Sequence, residues 1–347
     1  MNWFTWQQHK KQFLILGACL LAFAALVVPT GLHYWHQYSQ IISSCNSATA
    51  CVQHDLGNTF SVEGNGQFFM LFHFVQIAVV ALPVLLGLFL GVPLVANEYI
   101  EGTNKFIWTR SVSRRKWLTV KLAWMLGVSV VFAAALALLA TWWFKTANAL
   151  YIHGNDSSLG ALNRFGKLSF DAQGIVPVAY TFFMVTLGIA LGAWLKRILL
   201  AFGITLAAVV VLQGTVPNAV RPYYQSPQVD NVTLTAAIHS ANIFSPPEPA
   251  GSGTSWALSG SVVNDKTGQS QTMTSLLSNP PAACEEPLAK GPKQGFPCLQ
   301  SLGYHWVVKY QPAYRYWDFQ RIESVLYVAL SLIPLGVTYW LVLKRDA

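Results

Sequence analysis

The residues best suited to chemistry in this sequence are charged, and many of them fall in one short polar segment, 97–117. Glu98 and Glu101 lie about one helical turn apart and share a face. Gly102, next in line, can break a helix or permit a turn. Phe106, Ile107 and Trp108 form an amphipathic patch with Lys105 and Arg110. Ser111 to Ser113 can cap a following helix, which Arg114, Arg115 and Lys116 enter. Such side chains do the chemistry of ion pairing, helix-end contact and phosphate attraction rather than of bond making. By composition alone the segment also reads as an orientation signal and interfacial anchor, because Arg, Lys and Trp beside an apolar span serve that purpose.

Patterns for catalysis are missing. The Walker pattern needs G-x4-G-K-[ST]. Its nearest miss runs from Gly160 to Gly166-Lys167-Leu168, with the wrong spacing and Leu where Ser or Thr belongs. No H-E-x-x-H, no G-x-S-x-G and no metal-ligand cluster occurs. Cys45 and Cys51 form one close pair, and Cys284 and Cys298 another, while Cys19 stands alone in an apolar run. Neither pair has C-x2-C spacing with a nearby His, so oxidation to disulfides is expected rather than zinc binding. Asn155 and Asn231 open glycosylation sequons, a weak motif.

The elements that must position these residues follow from composition. The 347 residues are 53% hydrophobic and only 10% charged, with a mean hydropathy of +0.41. A soluble domain carries about 25% charged residues, so this chain lacks the charge to cover a wetted surface. Six segments approach or reach the roughly 20 apolar residues of a transmembrane helix: 12–29, 68–95, 118–144, 175–195, 198–216 and 323–343. The first has Lys10 and Lys11 before it but no clear cleavage site after it, and reads as an uncleaved signal anchor. Pro83 and Pro93 offer kinks in the second. Lys196-Arg197 turns the fourth into the fifth.

Segments 1–11, 96–121, 196–197 and 344–347 hold 12 of the 22 Lys and Arg but 3 acids, whereas the loops 30–67, 145–174 and 214–322 hold 10 of each sign. The positive-inside rule then puts both termini and the 96–117 loop in the cytoplasm. Residues 1–11 read as an amphipathic elbow lying in the interface. Both cysteine pairs fall in outer loops, where an oxidising exterior would bridge them. The span interiors hold almost no ionisable group: His73 and Gln76 lie toward the outer face, Lys121 can snorkel at the inner end, and Glu323 sits at an outer boundary. A proton-coupled pump would need carboxylates or His at depth, so any energy source must lie on another chain. The region 217–322, rich in Pro, Gly and Ser, reads as a small irregular extracytoplasmic domain, with β-prone pieces near Ser261–Asn264 and Tyr304–Tyr310. It and the first outer loop are expected to pack together as a cap.

The inner segment resembles the inner loop of ABC-2-type permeases, the membrane subunits of ATP-binding cassette exporters, in an actinobacterial-like form. The matching residues are Glu98, Glu101-Gly102-Thr103, Trp108-Thr109-Arg110-Ser111, Val112-Ser113-Arg114, Trp117-Leu118 and Lys121. Val178-Ala179-Tyr180, Leu187-Gly188, Leu191-Gly192-Ala193 and Lys196-Arg197 are similar to that family's fourth span and turn. Val220-Arg221-Pro222-Tyr223-Tyr224 and Tyr310 to Glu323 resemble the flanks of its last outer loop. The resemblance covers most of the membrane part, and the middle of the last outer loop matches nothing.

What the resemblance implies is an all-α polytopic fold with six transmembrane helices. It implies a partnership with a cytoplasmic ATP-binding cassette subunit and with a second permease copy, as homo- or heterodimer, in the plasma membrane of a bacterium. This chain would bind no cofactor; ATP and Mg would be used by the partner subunit. Glu98, Glu101, Gly102, Thr103, Phe106, Trp108, Arg110, Ser111, Arg114 and Arg115 would couple ATP hydrolysis to export. An apolar, charge-poor interior points to a hydrophobic or amphipathic substrate, and nothing points to nucleic acid. Two other readings stay open: a membrane sensor whose outer domain binds a ligand, and a scaffold with no transport path.

Overall fold

A computed structural model of the chain describes residues 2–46, 48–61, 64–100, 102, 113–153, 162–234 and 255–345. Among these residues, six helices are long and apolar enough to cross a membrane. The first, α1 (Asn2–Ser44), is a single helix of 43 residues. At about 1.5 Å per residue it is roughly twice as long as a ~30 Å hydrocarbon core is thick. The expected elbow at 1–11 is thus its opening turns and not a separate element. The helix also outruns the apolar stretch 12–29, because Val27, Tyr34, Tyr38 and Cys45 form one buried stripe at helical spacing. Past Pro29, Thr30 donates its hydroxyl to the Leu26 and Val27 carbonyls at 2.7 and 3.2 Å.

The segment expected as a loop at 30–67 is mostly helical. A disulfide joins Cys45 to Cys51 and turns the chain into α2 (Thr49–Phe60). Val52, Leu56 and Phe60, spaced by four, bury one face against Tyr34, Phe68, Phe72, Trp143 and Phe144. Helix α3 (Gly66–Leu86) starts at Asn65, whose side chain accepts from the Phe68 amide. It widens into a π turn at Gly87–Gly91 and resumes as α4 (Val92–Ile100). Pro93 has no N–H to return to residue 89, and the ladder loosens in the turn before it.

Helix α5 (Arg114–His153) is capped by the Ser113 hydroxyl, which accepts from the Lys116 amide at 3.4 Å. It runs parallel to α1: Gly31 meets Trp142 and Trp143, and Trp143 donates its Nε1–H to Thr30 Oγ1 at 3.1 Å. A short α6 (Lys167–Ala172) leads to α7 (Val176–Leu195). Only Lys196 and Arg197 separate α7 from α8 (Ile198–Thr215), with Lys196 in the left-handed region at φ 52°. A π turn (Val216–Val220) and a 3-10 turn (Arg221–Tyr223) close this arm.

Helix α7 is the centre of the bundle. Within the most apolar stretch of 18 residues, 72% are buried in α7, against 6% in α1 and 11% in α8, so the last two line the outside. The central position depends on glycine. Gly87 and Gly91 on one side and Gly188 and Gly192 on the other bring backbone against backbone. A Cβ on Gly188 would lie 2.2 Å from the Gly87 carbonyl oxygen, and one on Gly192 would lie 2.2 Å from that of Val92. Close approach through small residues four apart is how helices associate where no hydrophobic effect separates protein from lipid.

The expected small domain between α8 and the last helix is present among the described residues and has regular structure at its centre. It holds a four-stranded antiparallel sheet in the order β1-β4-β2-β3, from β1 (Gln228–Thr233), β2 (Trp256–Asn264), β3 (Ser270–Gln271) and β4 (Tyr304–Gln311). Both β-prone pieces lie inside β2 and β4. Trp306 and Val308 alternate inward from β4 onto Val262, Met273, Leu276, Phe296 and Leu299. The last four come from α9 (Met273–Ser278) and α11 (Pro292–Ser301). Helix α10 (Glu285–Ala289) lies between them, and the Cys284–Cys298 disulfide ties the residue before α10 to α11. The final helix, α12 (Tyr316–Trp340), ends in a π turn at Leu341–Arg345.

The described parts of the sheet domain and of the first loop rest on different supports. The first loop packs on α1 and α5. The domain docks through Trp256, stacked on Phe165 at 5.9 Å between ring centres, and through Asn163, which donates to the Ser255 carbonyl at 2.8 Å.

Candidate functional site

Two buried polar clusters lie at opposite ends of the bundle. At the end away from the sheet, Glu98 in the last turns of α4 pairs with Lys121 of α5. Both are buried, at 5% and 4% exposure. The Lys121 ammonium lies 5.3 Å from the centre of the Trp117 ring. Lys121 therefore does not snorkel as expected: an acid within reach, shielded from water, is the better partner for the ammonium. Glu98 Oε2 has no hydrogen-bond partner among the described residues. The pair clasps the two helices that carry the 101–113 connection, and Lys196 braces the same end, its ammonium 4.6 Å from the Tyr99 ring.

The other loop residues divide clearly. Gly102 has φ +68°, a left-handed conformation that ends the helical path and favours glycine. Arg114 is half-buried and Arg115 exposed on the first turn of α5. Glu101, Thr103, Phe106, Trp108, Arg110 and Ser111 lie outside the described residues. Cys45, Cys51 and Asp55 cluster as metal ligands would, but both sulfurs are spent in the disulfide and neither offers a thiolate.

The second cluster lies beneath the sheet domain. Arg221, 1% exposed, faces two carboxylates. Its Nε and Nη2 donate to Glu323 of α12 at 2.8 and 2.7 Å, and Nη2 donates also to Asp171 of α6. The guanidinium lies 4.0 Å from the Phe170 ring. Tyr224 donates its hydroxyl to Glu323 at 3.1 Å. Burial first, then the charge of Glu323, push that hydroxyl up, so it stays a donor. Beside them Gln320 accepts from the Ile175 and Val176 amides, both at 3.0 Å, and donates to the Phe170 carbonyl. It thereby satisfies the open amides at the start of α7. Further out, Arg164 donates to the Ala313 carbonyl at 2.6 Å, and burial lowers the pKa of its guanidinium.

One guanidinium facing two carboxylates leaves an excess negative charge when all are ionised. Burial raises the Asp171 carboxyl to about 7, against the pull of Arg221 and with help from Glu323. An unfolded Asp titrates near pH ~3.9. Between about pH 4 and pH 7 the folded protein therefore holds a proton that the unfolded chain lacks. The stability this adds is complete below the lower value and is lost as pH rises through the upper one. Asp171→Asn removes the effect. The melting temperature of the native chain should gain on that of the variant as pH falls from about 8 to about 5. A constant difference across that range would show that Asp171 does not titrate there.

Arg221, Tyr224 and Glu323 stood in the two stretches that resemble the flanks of the family's last outer loop, with no role attached, and Asp171 was one of ten loop acids. A charge of each sign at the edge of a span was the available signal. The pairs close across 50 and 102 residues, and nothing local marks such a partnership.

Both clusters can hold helices together or release them. The six apolar spans agree with the comparison to known families. The family described as ABC-2 membrane transporter related matches residues 17–221, from α1 to the arginine of the buried cluster. No curated protein and no solved structure matches the chain. As that match spans more than half of its length, the chain belongs to the ABC-2 membrane transporter related family.

Proposed function

We propose that this chain is the permease of an ATP-driven exporter, working with a second permease copy and with ATP-binding cassette subunits on the cytoplasmic face. The observation that carries the reading is the Glu98–Lys121 clasp. It fixes both stems of the 101–113 connection, so a push on that connection reaches α4 and α5 together. The excess of Lys and Arg at this end supports a cytoplasmic position for it. ATP and Mg belong to the partner subunit, which supplies the energy. The substrate is hydrophobic or amphipathic, in keeping with the apolar helix faces.

The test begins with isolation of tagged protein in mild detergent, where an ATP-binding cassette subunit should appear in near-equal amount. In the reconstituted complex, Glu101→Ala with Arg110→Ala should leave ATP hydrolysis running and reduce transport on the order of tenfold. That is the effect of losing about 1.4 kcal/mol of coupling. Unchanged coupled transport by the inserted double variant removes the assignment. The sensor reading has one observation in its favour. A cavity of about 340 Å³ lies between the sheet domain and the bundle, lined in part by Lys167, Asn218, Arg221 and Trp256. It gains if no ATPase co-purifies with folded protein.

A further inference from the structure

An apolar groove of about 540 Å³ runs between α1 and α5. Phe13 and Leu20 form one wall, and Trp124 and Phe132 the other. Two glycines open it. A Cβ on Gly17 or on Gly127 would meet nothing within 4 Å. These glycines therefore differ from those between the π turn and α7, since no backbone fills the space they leave. The groove covers residues 123–135 of α5, about 18 Å of helix, slightly more than half of a ~30 Å hydrocarbon core.

One end of the groove is cationic. Positions 10, 13, 17 and 20 fall on one stripe of α1, and 116, 123 and 127 on one stripe of α5. Lys10 and Lys116 therefore stand on the faces that continue the groove walls, and both are exposed. Lys11 and Arg115 stand exposed beside them. Among the described residues, Glu98 is the single acid at this end, and it is engaged by Lys121. The groove itself has no charged lining residue. A ligand that matches both parts carries an anion at one end and a saturated chain behind it.

We propose that the groove binds an anionic phospholipid of the bilayer, with the phosphate between Lys10 and Lys116 and one acyl chain along Gly17 and Gly127. Cations beside a span concentrate anionic headgroups, and the acyl chain fills a hollow that the helices leave open. The assignment does not depend on transport.

The test uses the full chain reconstituted in vesicles of phosphatidylglycerol and phosphatidylethanolamine in equal parts. The protein is then extracted in mild detergent, and its retained lipids and oligomeric state are read by native mass spectrometry. Phosphatidylglycerol should be retained in preference to phosphatidylethanolamine. Lys10→Gln with Lys116→Gln should cut its retention on the order of tenfold, the effect of two headgroup contacts. Gly17→Leu with Gly127→Leu should abolish retention by filling the groove. Equal retention of the two lipids, or unchanged retention in both variants, overturns the proposal. So does unchanged retention with loss of a dimer in the leucine variant, which would make the groove a seat for a second copy of this chain.

Discussion

Arg221→Ala lowers the stability of the protein by about 3–5 kcal/mol, the cost of removing one partner from a buried ionic cluster. Two carboxylates, Asp171 and Glu323, then share a space closed to water, with no cation in hydrogen-bond contact among the described residues. Arg221→Lys recovers only part of the loss, because an ammonium cannot serve Glu323 with two parallel donors. The informative control is the neutral triple variant, Arg221→Gln with Asp171→Asn and Glu323→Gln. It should regain more than half of the lost stability, because most of the damage comes from the charges left behind. Thermal unfolding in detergent or nanodiscs measures all of these. If Arg221→Ala melts with the native protein, the cluster does not hold the helices. A triple variant as poor as the single one would mean that lost packing on Phe170 is the larger effect.

Gly188→Ala and Gly192→Ala should each cost about 1–3 kcal/mol, the range for overpacking a close contact. Atoms at a Cβ essentially never stand under 3.0 Å from a heavy atom, and these would stand at 2.2 Å. The obstacle in each case is a main-chain carbonyl, which cannot swing aside as the end of a side chain can. Gly203→Ala in α8 and Gly336→Ala in α12 serve as controls. Their added Cβ atoms meet nothing within 4 Å, so these changes should be neutral or stabilising by about 0.4–1 kcal/mol. Equal melting temperatures for all four variants would mean that the π turn and α4 are free to separate from α7.

The number and type of membrane helices were legible because a 20-residue apolar run has few other uses. Their ends were not, since α1 continues through Tyr34 and Tyr38, aromatic residues that pack without being purely apolar. The sheet was half legible: the β-prone pieces inside β2 and β4 stood out, whereas β1 and β3, short and polar, did not. The G-x-x-x-G spacing at Gly87–Gly91 and at Gly188–Gly192 was present in plain view, and its importance appears only when the two stretches meet. Both disulfides were expected from the confinement of each cysteine pair to one loop. The Glu98–Lys121 clasp was half legible: the acid was singled out, and its partner was assigned to the interface.

The two-residue joint between α7 and α8 limits how the molecule can move. Three Cα steps separate Leu195 from Ile198, a reach of at most about 11 Å. The helix ends at this joint cannot part company, so any displacement of the central helix is handed directly to α8, whose outward face lies against its surroundings. In kinematic terms the bundle has a stiff joint between α7 and α8 and, at the same end, a non-covalent fastening from Glu98 of α4 to Lys121 of α5.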